Sequence, residues 1–298
     1  MEFHIHWFAV TVWASLDHAH NLWHAWLEPR LGVLHDQGYG GRLYKKIFKG
    51  LAAAKLYCLP QHSSGDEQEG HFHLELPGTA CEALPPETLQ EFFLVLQRND
   101  KFRVKRIDLA WDGVPFTPVM LDQADKQDLF ITRARRETFR FEHSRHNPKE
   151  NGEIGHSIFR LGSRASSRHL RVYDYHGPVR LEMEARGPRA DLIAGDVLPS
   201  PPDEWSDKSI PHLRDFVEIE APYWHEFVKQ HVKAGRTIVD ARAKELSRIA
   251  EWMFKQVSPS LSVLVDVIGE GTLKALIENG RKKRGGKFKS LLNDGGEE

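Results

Sequence analysis

Three runs of the sequence place polar side chains at every second position, which is the spacing of residues on one face of a β-strand. Two of these runs carry carboxylates and arginines, and the third carries an arginine and two tyrosines. The residues that share a face are Arg106, Asp108, Ala110 and Asp112 in RIDLAWDG, Arg180, Glu182, Glu184 and Arg186 in VRLEMEARG, and Arg171, Tyr173 and Tyr175 in LRVYDYHG. If these strands pair, their polar side chains form one continuous surface.

The residue types on this surface suit a metal ion and a phosphate group. Carboxylate oxygens are hard ligands of the kind that Mg²⁺ and Mn²⁺ prefer. Arginine binds phosphate through two parallel hydrogen bonds, and a tyrosine hydroxyl can act as a nucleophile. The alternative is a solvated sheet face stabilised by cross-strand Arg–Glu pairs.

Histidines and aromatic residues add further candidates. His71 and His73, and likewise His4 and His6, have the i, i+2 spacing that lets two imidazoles of a strand bind one metal. The chain has 17 histidines, so such pairs are also expected by chance. His176 lies next to the tyrosines and is a candidate for a local proton or phosphate role. Trp111 and Tyr44 are candidates for stacking on unpaired bases.

The elements that must position these residues alternate between strand and helix patterns. The order strand, helix, strands, helix, strands over residues 1–197 predicts an α+β domain on a largely antiparallel sheet with flanking helices. LPSPPDEWSDKSIP has four prolines, so we predict a linker over residues 198–211. Residues 212–298 have helical patterning and predict a smaller helical domain for DNA binding or dimerisation, with a basic tail.

The overall charge is close to neutral, but it is unevenly distributed. There are 41 Lys and Arg against 42 Asp and Glu, for a net charge of −1, which argues against a uniformly basic nucleic-acid-binding protein. Residues 131–190 nevertheless hold 13 basic and 7 acidic residues. The two cysteines form no CxxC pair, and neither a signal peptide nor an apolar run long enough to cross a membrane is visible. We therefore expect a cytoplasmic protein that does not bind a membrane.

Four segments in this order resemble the replication initiation factor family, which comprises rolling-circle plasmid and phage initiators and related nickases of conjugative elements. They are GYGGRLYKK (38–46), HLELPGTAC (73–81), RIDLAWDG (106–113) and GSRASSRHLRVYDYHGPVRLEMEARGPRA (162–190). The resemblance extends from about residue 3 to about residue 195. Where the family pattern has lysine after Tyr-Asp, this chain has Tyr175.

The resemblance implies a rolling-circle replication initiator that nicks one DNA strand at an origin and rejoins it through a covalent 5′-phosphotyrosine. Tyr173 corresponds to the nucleophile, and a divalent metal (Mg or Mn) is expected to polarise the scissile phosphate. The expected metal ligands are Asp108, Asp112, Glu182 and Glu184. The expected DNA contacts are Arg164, Arg168, Arg171 and Arg180, together with Arg281, Lys282, Lys283 and Arg284 of the basic tail. The expected partners are origin duplex and single-stranded DNA, with a helicase, host replication proteins and a second copy of the chain as further options.

Several alternatives stay open at this point. Tyr175 is either a plain substitution, the second member of a two-tyrosine relay, or the nucleophile itself. The protein is either an initiator, a conjugative relaxase of the same chemistry, or a regulator that binds an origin without cutting it. A tyrosine recombinase is disfavoured, because its nucleophile lies near the end of a helical domain, whereas Tyr173 lies on a predicted strand in mid-chain.

Overall fold

The structure is a computed structural model, and it describes residues 1–61, 70–132, 134–148, 154–175, 177–231, 253, 257–269 and 271–282. The chain divides into two compact units, Met1–Thr237 and Ile238–Glu298. The first unit has an α+β fold built on an antiparallel sheet with flanking helices, and the described part of the second unit is helical. The predicted fold class is therefore confirmed.

Ten strands form the main sheet, in the order β2-β3-β4-β5-β1-β6-β11-β10-β9-β8, and every neighbouring pair is antiparallel. These strands are β1 (Glu2–Val12), β2 (His35–Asp36), β3 (Tyr44–Lys49), β4 (Lys55–Pro60), β5 (Phe72–Leu76), β6 (Phe102–Asp112), β8 (Arg140–Pro148), β9 (Ile154–Leu161), β10 (Arg168–Tyr173) and β11 (Arg180–Arg186). A separate pair consists of β7 (Phe130–Thr132) and β12 (Val217–Ile219).

The helices of the first unit lie between these strands. They are α1 (Leu16–Leu22), which continues through a wider π-helical turn at Trp23–Leu27 into α2 (Glu28–Leu31), then α3 (Gly78–Ala83), α4 (Pro86–Asn99), α5 (Pro118–Lys126), α6 (Pro188–Val197), α7 (Trp205–Phe216) and α8 (Pro222–His231), with short 3₁₀ turns at Arg136–Thr138 and Pro202–Glu204. The second unit contains α9 (Ser258–Ile268) and α10 (Gly271–Lys282). Among the described residues, no helix has the length and apolar character needed to cross a bilayer.

The apolar positions of the central strands form the core. Ile107, Leu109 and Trp111 of β6 are fully buried, as are Leu181 and Met183 of β11. They belong to the same hydrophobic cluster as apolar residues of α4, α6 and α7, and each such buried side chain contributes about 1.5–3 kcal/mol to folding. Because side chains alternate along a strand, the charged residues of β6 and β11 must lie on the opposite face.

The segment predicted as a linker is mostly ordered structure of the first unit. Residues 202–204 form a 3₁₀ turn and α7 begins at Trp205, although Pro211 lies within this helix. Trp205, Ile210 and Leu213 are buried in the core, and this burial outweighs the low helix propensity of the proline-rich sequence. The boundary between the compact units lies instead at Thr237/Ile238, and not at residues 198–211.

Candidate active site

The register of three central strands brings the predicted polar residues together. In the β6–β11 pair, Asp108 lies opposite Glu184 and Asp112 lies opposite Arg180. In the β10–β11 pair, Arg171 lies opposite Glu182 and Tyr173 lies opposite Arg180. Residues directly opposite each other in an antiparallel pair share a face, so these side chains form one polar surface.

Three side chains on this surface form a group that could hold a metal ion. They are His6, Asp108 and Glu182, and each offers a ligand atom within 4.8 Å of the other two. Asp108 and Glu182 are buried, and Nδ1 of His6 lies 3.5 Å from Oε1 of Glu182. We name these three residues the carboxylate–histidine cluster.

The carboxylate–histidine cluster fits a divalent cation by two observations. Its two carboxylates are the oxygen ligands that Mg²⁺ and Mn²⁺ prefer, and its imidazole adds a nitrogen ligand of the kind that transition metals accept. In addition, Nδ1 of His6 is buried and lies 3.5 Å from Oε1 of Glu182, which is long for a hydrogen bond. A metal ion bound by both atoms would satisfy the imidazole nitrogen and the carboxylate together.

Tyr173 is the last residue of β10, and its hydroxyl points at the carboxylate–histidine cluster. The phenol is half-buried and donates a hydrogen bond to Oε2 of Glu182 at 2.9 Å. Burial and the charge of Glu182 raise the pKa of the Tyr173 phenol well above its usual value, so the hydroxyl is protonated at neutral pH. Tyr175 lies two residues beyond, with its ring centroid 5.3 Å from that of Tyr173.

Asp108 is paired with the arginine two residues before it on the same strand. The Arg106 guanidinium donates to both carboxylate oxygens of Asp108, at 2.9 and 2.6 Å, and also lies 3.1 Å from Glu184. The same guanidinium lies over the ring of Trp7, 4.0 Å from its centroid. Burial raises the pKa of Asp108 to about 7, even though Arg106 acts in the opposite direction. The positive charge of Arg106 therefore lies directly against the buried carboxyl group of Asp108 in the cluster.

Glu182 has the opposite electrostatic character. Burial alone would raise its pKa, but the His6 side chain and the positive charge of Arg171 outweigh burial and hold the pKa of Glu182 well below its usual range. Arg171 donates a hydrogen bond to Glu182 and lies 3.9 Å from Asp108. Glu182 is therefore ionised at neutral pH, and it contacts His6, Arg171 and Tyr173 together.

The other two predicted metal ligands lie apart from this cluster. Asp112 accepts two hydrogen bonds from Arg180, at 2.7 and 2.9 Å, and lies 3.7 Å from Nδ1 of His4. Glu184 pairs with Arg106 and Arg186. Arginines also bind Asp108 and Glu182, so this pairing does not separate the four carboxylates. Among the described residues, the three-ligand group contains Asp108 and Glu182 together with His6, and neither Asp112 nor Glu184.

The predicted DNA contacts occupy different environments. Arg171 and Arg180 lie at the site and keep about a fifth of their side-chain surface exposed. Arg164 is exposed in the turn before β10, whereas Arg168 is buried in an ion pair with Asp215 and lies over the Phe216 ring, so it is not available to a DNA backbone. Arg281 and Lys282 are exposed at the end of α10, and Lys283 and Arg284 lie outside the described residues.

The remaining candidates are resolved by their contacts. Nδ1 of His73 shares a hydrogen bond with the hydroxyl of Thr11 at 2.9 Å, and no three-ligand metal group among the described residues includes His71 or His73. Trp111 is fully buried and donates from its indole to Ser206, so the prediction that it stacks on bases is wrong. Tyr44 is also buried, and His176 lies outside the described residues.

The sequence signal for His6 is weak. The pattern His4-Ile5-His6 has ligand spacing, but among 17 histidines such a pair is also expected by chance. A shift in the β1–β6 register lies between Ile5 and Trp7, so His6 has no partner on β6. Such bulges re-aim side chains, and here the imidazole lies against Glu182.

Comparison with known proteins supports a relationship in fold. No protein-family model matches the sequence, and no curated protein matches it either. A solved structure of a rolling circle replication initiator protein from Geobacillus stearothermophilus is similar, with a TM-score of 0.58 and 17% sequence identity. The similarity covers 77% of this chain and 96% of the other. This chain therefore shares its fold with a rolling-circle replication initiator.

Proposed function

We propose that this protein initiates rolling-circle replication by cutting and rejoining one DNA strand through Tyr173. The observation that carries the proposal is the hydrogen bond of 2.9 Å from the Tyr173 hydroxyl to Glu182, a member of the carboxylate–histidine cluster. The shared fold with a replication initiator supports the same activity. A nickase of a conjugative element would use the same residues, and its gene would lie among conjugation genes rather than beside a plasmid or phage origin.

The proposed reaction is a transfer of one phosphodiester bond. The Tyr173 oxygen attacks phosphorus, the bond from phosphorus to the 3′ oxygen breaks, and the 5′ phosphate stays on the tyrosine while the 3′ oxygen leaves with a proton. Oε2 of Glu182 accepts the hydrogen bond of the phenol and so orients the attacking oxygen; because the pKa of Glu182 lies well below its usual range, the phenol proton passes to solvent. The reverse reaction rejoins the strand without ATP, because the phosphotyrosine keeps the energy of the original bond.

The residues around Tyr173 have separate roles in this proposal. His6, Asp108 and Glu182 would hold a Mg²⁺ or Mn²⁺ ion, which would supply the positive charge that polarises the scissile phosphate. Arg180, fixed by its two hydrogen bonds to Asp112, lies opposite Tyr173 and is placed to contact a phosphate oxygen. Arg171 donates a hydrogen bond to Glu182 and compensates the negative charge of that carboxylate.

Covalent capture of DNA tests the proposal. Because the origin sequence is unknown, the substrate is a labelled pool of single-stranded DNA with a randomised centre, incubated with Mn²⁺ and resolved on a denaturing gel. We expect a protein–DNA adduct that EDTA prevents, that Tyr173→Phe abolishes, and that the matched variant Tyr175→Phe retains. Binding of the pool without any adduct from the wild-type protein would support the non-cleaving regulator instead. An adduct that survives in Tyr173→Phe would overturn the assignment of the nucleophile.

A further inference from the structure

A row of side chains leads away from the candidate active site along β1. Phe8, Val10 and Val12 are fully buried on the core face of this strand, so the alternate residues lie on the other face. Trp7, the first of these, contacts Arg106, which binds Asp108. The alternate residues of β1 therefore share the face of the carboxylate–histidine cluster. Trp13, the residue after the end of β1, continues this alternation. Its backbone amide donates a hydrogen bond to the carbonyl of Lys101 at 2.9 Å.

Trp13 has two lysines close to its ring at the far end of this row. Nζ of Lys101 lies 5.4 Å from the centroid of the indole, and Nζ of Lys105 lies 5.8 Å from it. The indole is only partly buried, and both lysines are exposed. Within the part of the chain that the structure describes, neither ammonium forms an ion pair with a carboxylate. The site therefore combines an aromatic face with two cations that have no protein counter-charge there.

A register shift in the sheet contributes to this arrangement. Ala9 of β1 pairs with Arg106 and Val10 pairs with Val104, which leaves Lys105 without a partner on β1. The extra residue of such a bulge is turned out of the regular alternation. Lys105 therefore lies near the Trp13 ring. In a regular strand its side chain would point to the face opposite that of Arg106.

The distance along β1 corresponds to a short stretch of single-stranded nucleic acid. His6 and Trp13 are seven residues apart, which is about 23 Å at about 3.3 Å per residue. At about 3.4 Å per stacked nucleotide, that length corresponds to about seven nucleotides. Aromatic faces with flanking cations are the features by which proteins hold single strands without reading their sequence.

We infer that single-stranded DNA follows this face of β1, with a base stacked on Trp13 and adjacent phosphates bound by Lys101 and Lys105. This inference rests on the proposed function, since cleavage at Tyr173 requires an unpaired strand to extend from that residue. It adds a binding site remote from the reacting atoms, which holds the strand through its backbone and one base face. These contacts do not depend on the base sequence, so their contribution to affinity can be measured with single-stranded DNA of any sequence.

The test measures binding of labelled oligo(dT) of 20 nucleotides to the full-length protein by fluorescence anisotropy, in EDTA. We expect Trp13→Ala to weaken binding about fivefold or more, as loss of one base stack does, and Trp13→Phe to keep most of the affinity. The aromatic variant also separates lost stacking from lost folding, which thermal melting of both variants checks.

The lysines are tested by the salt dependence of the same binding. Lys101→Ala/Lys105→Ala removes two phosphate contacts, so the slope of log affinity against log salt should become shallower by about 1.4. The matched variant Lys126→Ala/Lys229→Ala removes two exposed lysines from α5 and α8 and should leave the slope unchanged. These lysine changes leave the core intact.

The outcomes separate this inference from the proposed function. Equal affinity of the wild type and Trp13→Ala, equal slopes for the two lysine variants, or no binding of oligo(dT) by the wild type would each overturn the inference. If the adduct at Tyr173 still formed in that case, the proposed function would stand. Binding that depends on Trp13, in a protein that forms no adduct with any strand of the randomised pool, would overturn the proposed function and leave this site in place.

Discussion

Replacing Arg106 by methionine should destabilise the protein far more than a surface arginine would. Asp108 is fully buried, and its carboxylate is neutralised by the two hydrogen bonds from Arg106. Methionine keeps an apolar stem that can pack on Trp7 but removes the guanidinium. The substitution therefore leaves both oxygens of Asp108 buried without their partner. Because burial already raises the pKa of Asp108 to about 7 in the presence of Arg106, the group then takes up a proton at pH 7.

The size of the effect follows from burial. Breaking a buried ion pair from one side costs about 3–5 kcal/mol. Here the cost comes from the two lost hydrogen bonds and the lost charge pair, and proton uptake by Asp108 limits it. Arg106 keeps 20% of its side chain exposed, so water partly screens the pair and we expect the lower end, about 3 kcal/mol. For a unit of this size, 1 kcal/mol corresponds to about 2–4 °C, so the melting temperature should fall by about 6–12 °C.

Thermal and urea unfolding of the full-length protein at pH 7, without added metal, measures this change. Arg103→Met is the matched control, because Arg103 lies on the same strand in an ion pair with Asp191 but is 61% exposed, and we expect a loss of at most about 1 kcal/mol. Adding Asp108→Asn to Arg106→Met should restore part of the stability, because it removes the acid that must otherwise take up a proton on folding at pH 7. A loss of less than about 1 kcal/mol for Arg106→Met, or a further loss on adding Asp108→Asn, would refute the reasoning.

Three further predictions concern the cluster and the cysteines. His6→Ala should lower the affinity for Mn²⁺ about tenfold or more by calorimetry, whereas His73→Ala should leave it unchanged, since His6 alone of the two belongs to the three-ligand group. Gly78→Ala should also weaken Mn²⁺ binding in a folded protein, because an added Cβ would lie 2.5 Å from Nε2 of His6 and displace the ring; unchanged affinity would count against the placement of His6. Cys58 and Cys81 should react with a thiol reagent only on unfolding, because burial raises the pKa of Cys58 to about 12 and that of Cys81 further; rapid labelling of the native protein would contradict this.

Alternation in the sequence was sufficient to predict the polar face of the site. In RIDLAWD and RLEMEAR the charged residues fall at every second position, and the apolar residues between them are fully buried. Two adjacent antiparallel strands with such patterns must place their charges on one surface, which is what the pairing of Asp108 with Glu184 shows. The fold class followed from the same patterns.

Alternation in the sequence could not predict which of the charged residues form the three-ligand group. Period-two spacing does not show which carboxylates come close to a third ligand: Asp108 and Glu182 lie with His6, whereas Asp112 is bound by Arg180. His6 reaches the cluster because of a register shift in β1, which no local sequence pattern encodes. The helix at Trp205–Phe216 was missed for a related reason, because tertiary burial of Trp205 outweighs local prolines.

Mapping the site of DNA attachment tests the central proposal most directly. The adduct formed with the randomised pool and Mn²⁺ would be digested with protease and nuclease, and the modified peptide identified by mass spectrometry. We predict a nucleotide attached through phosphate to Tyr173, the residue that donates a hydrogen bond to Glu182. Attachment to Tyr175, or to any other residue, would contradict it.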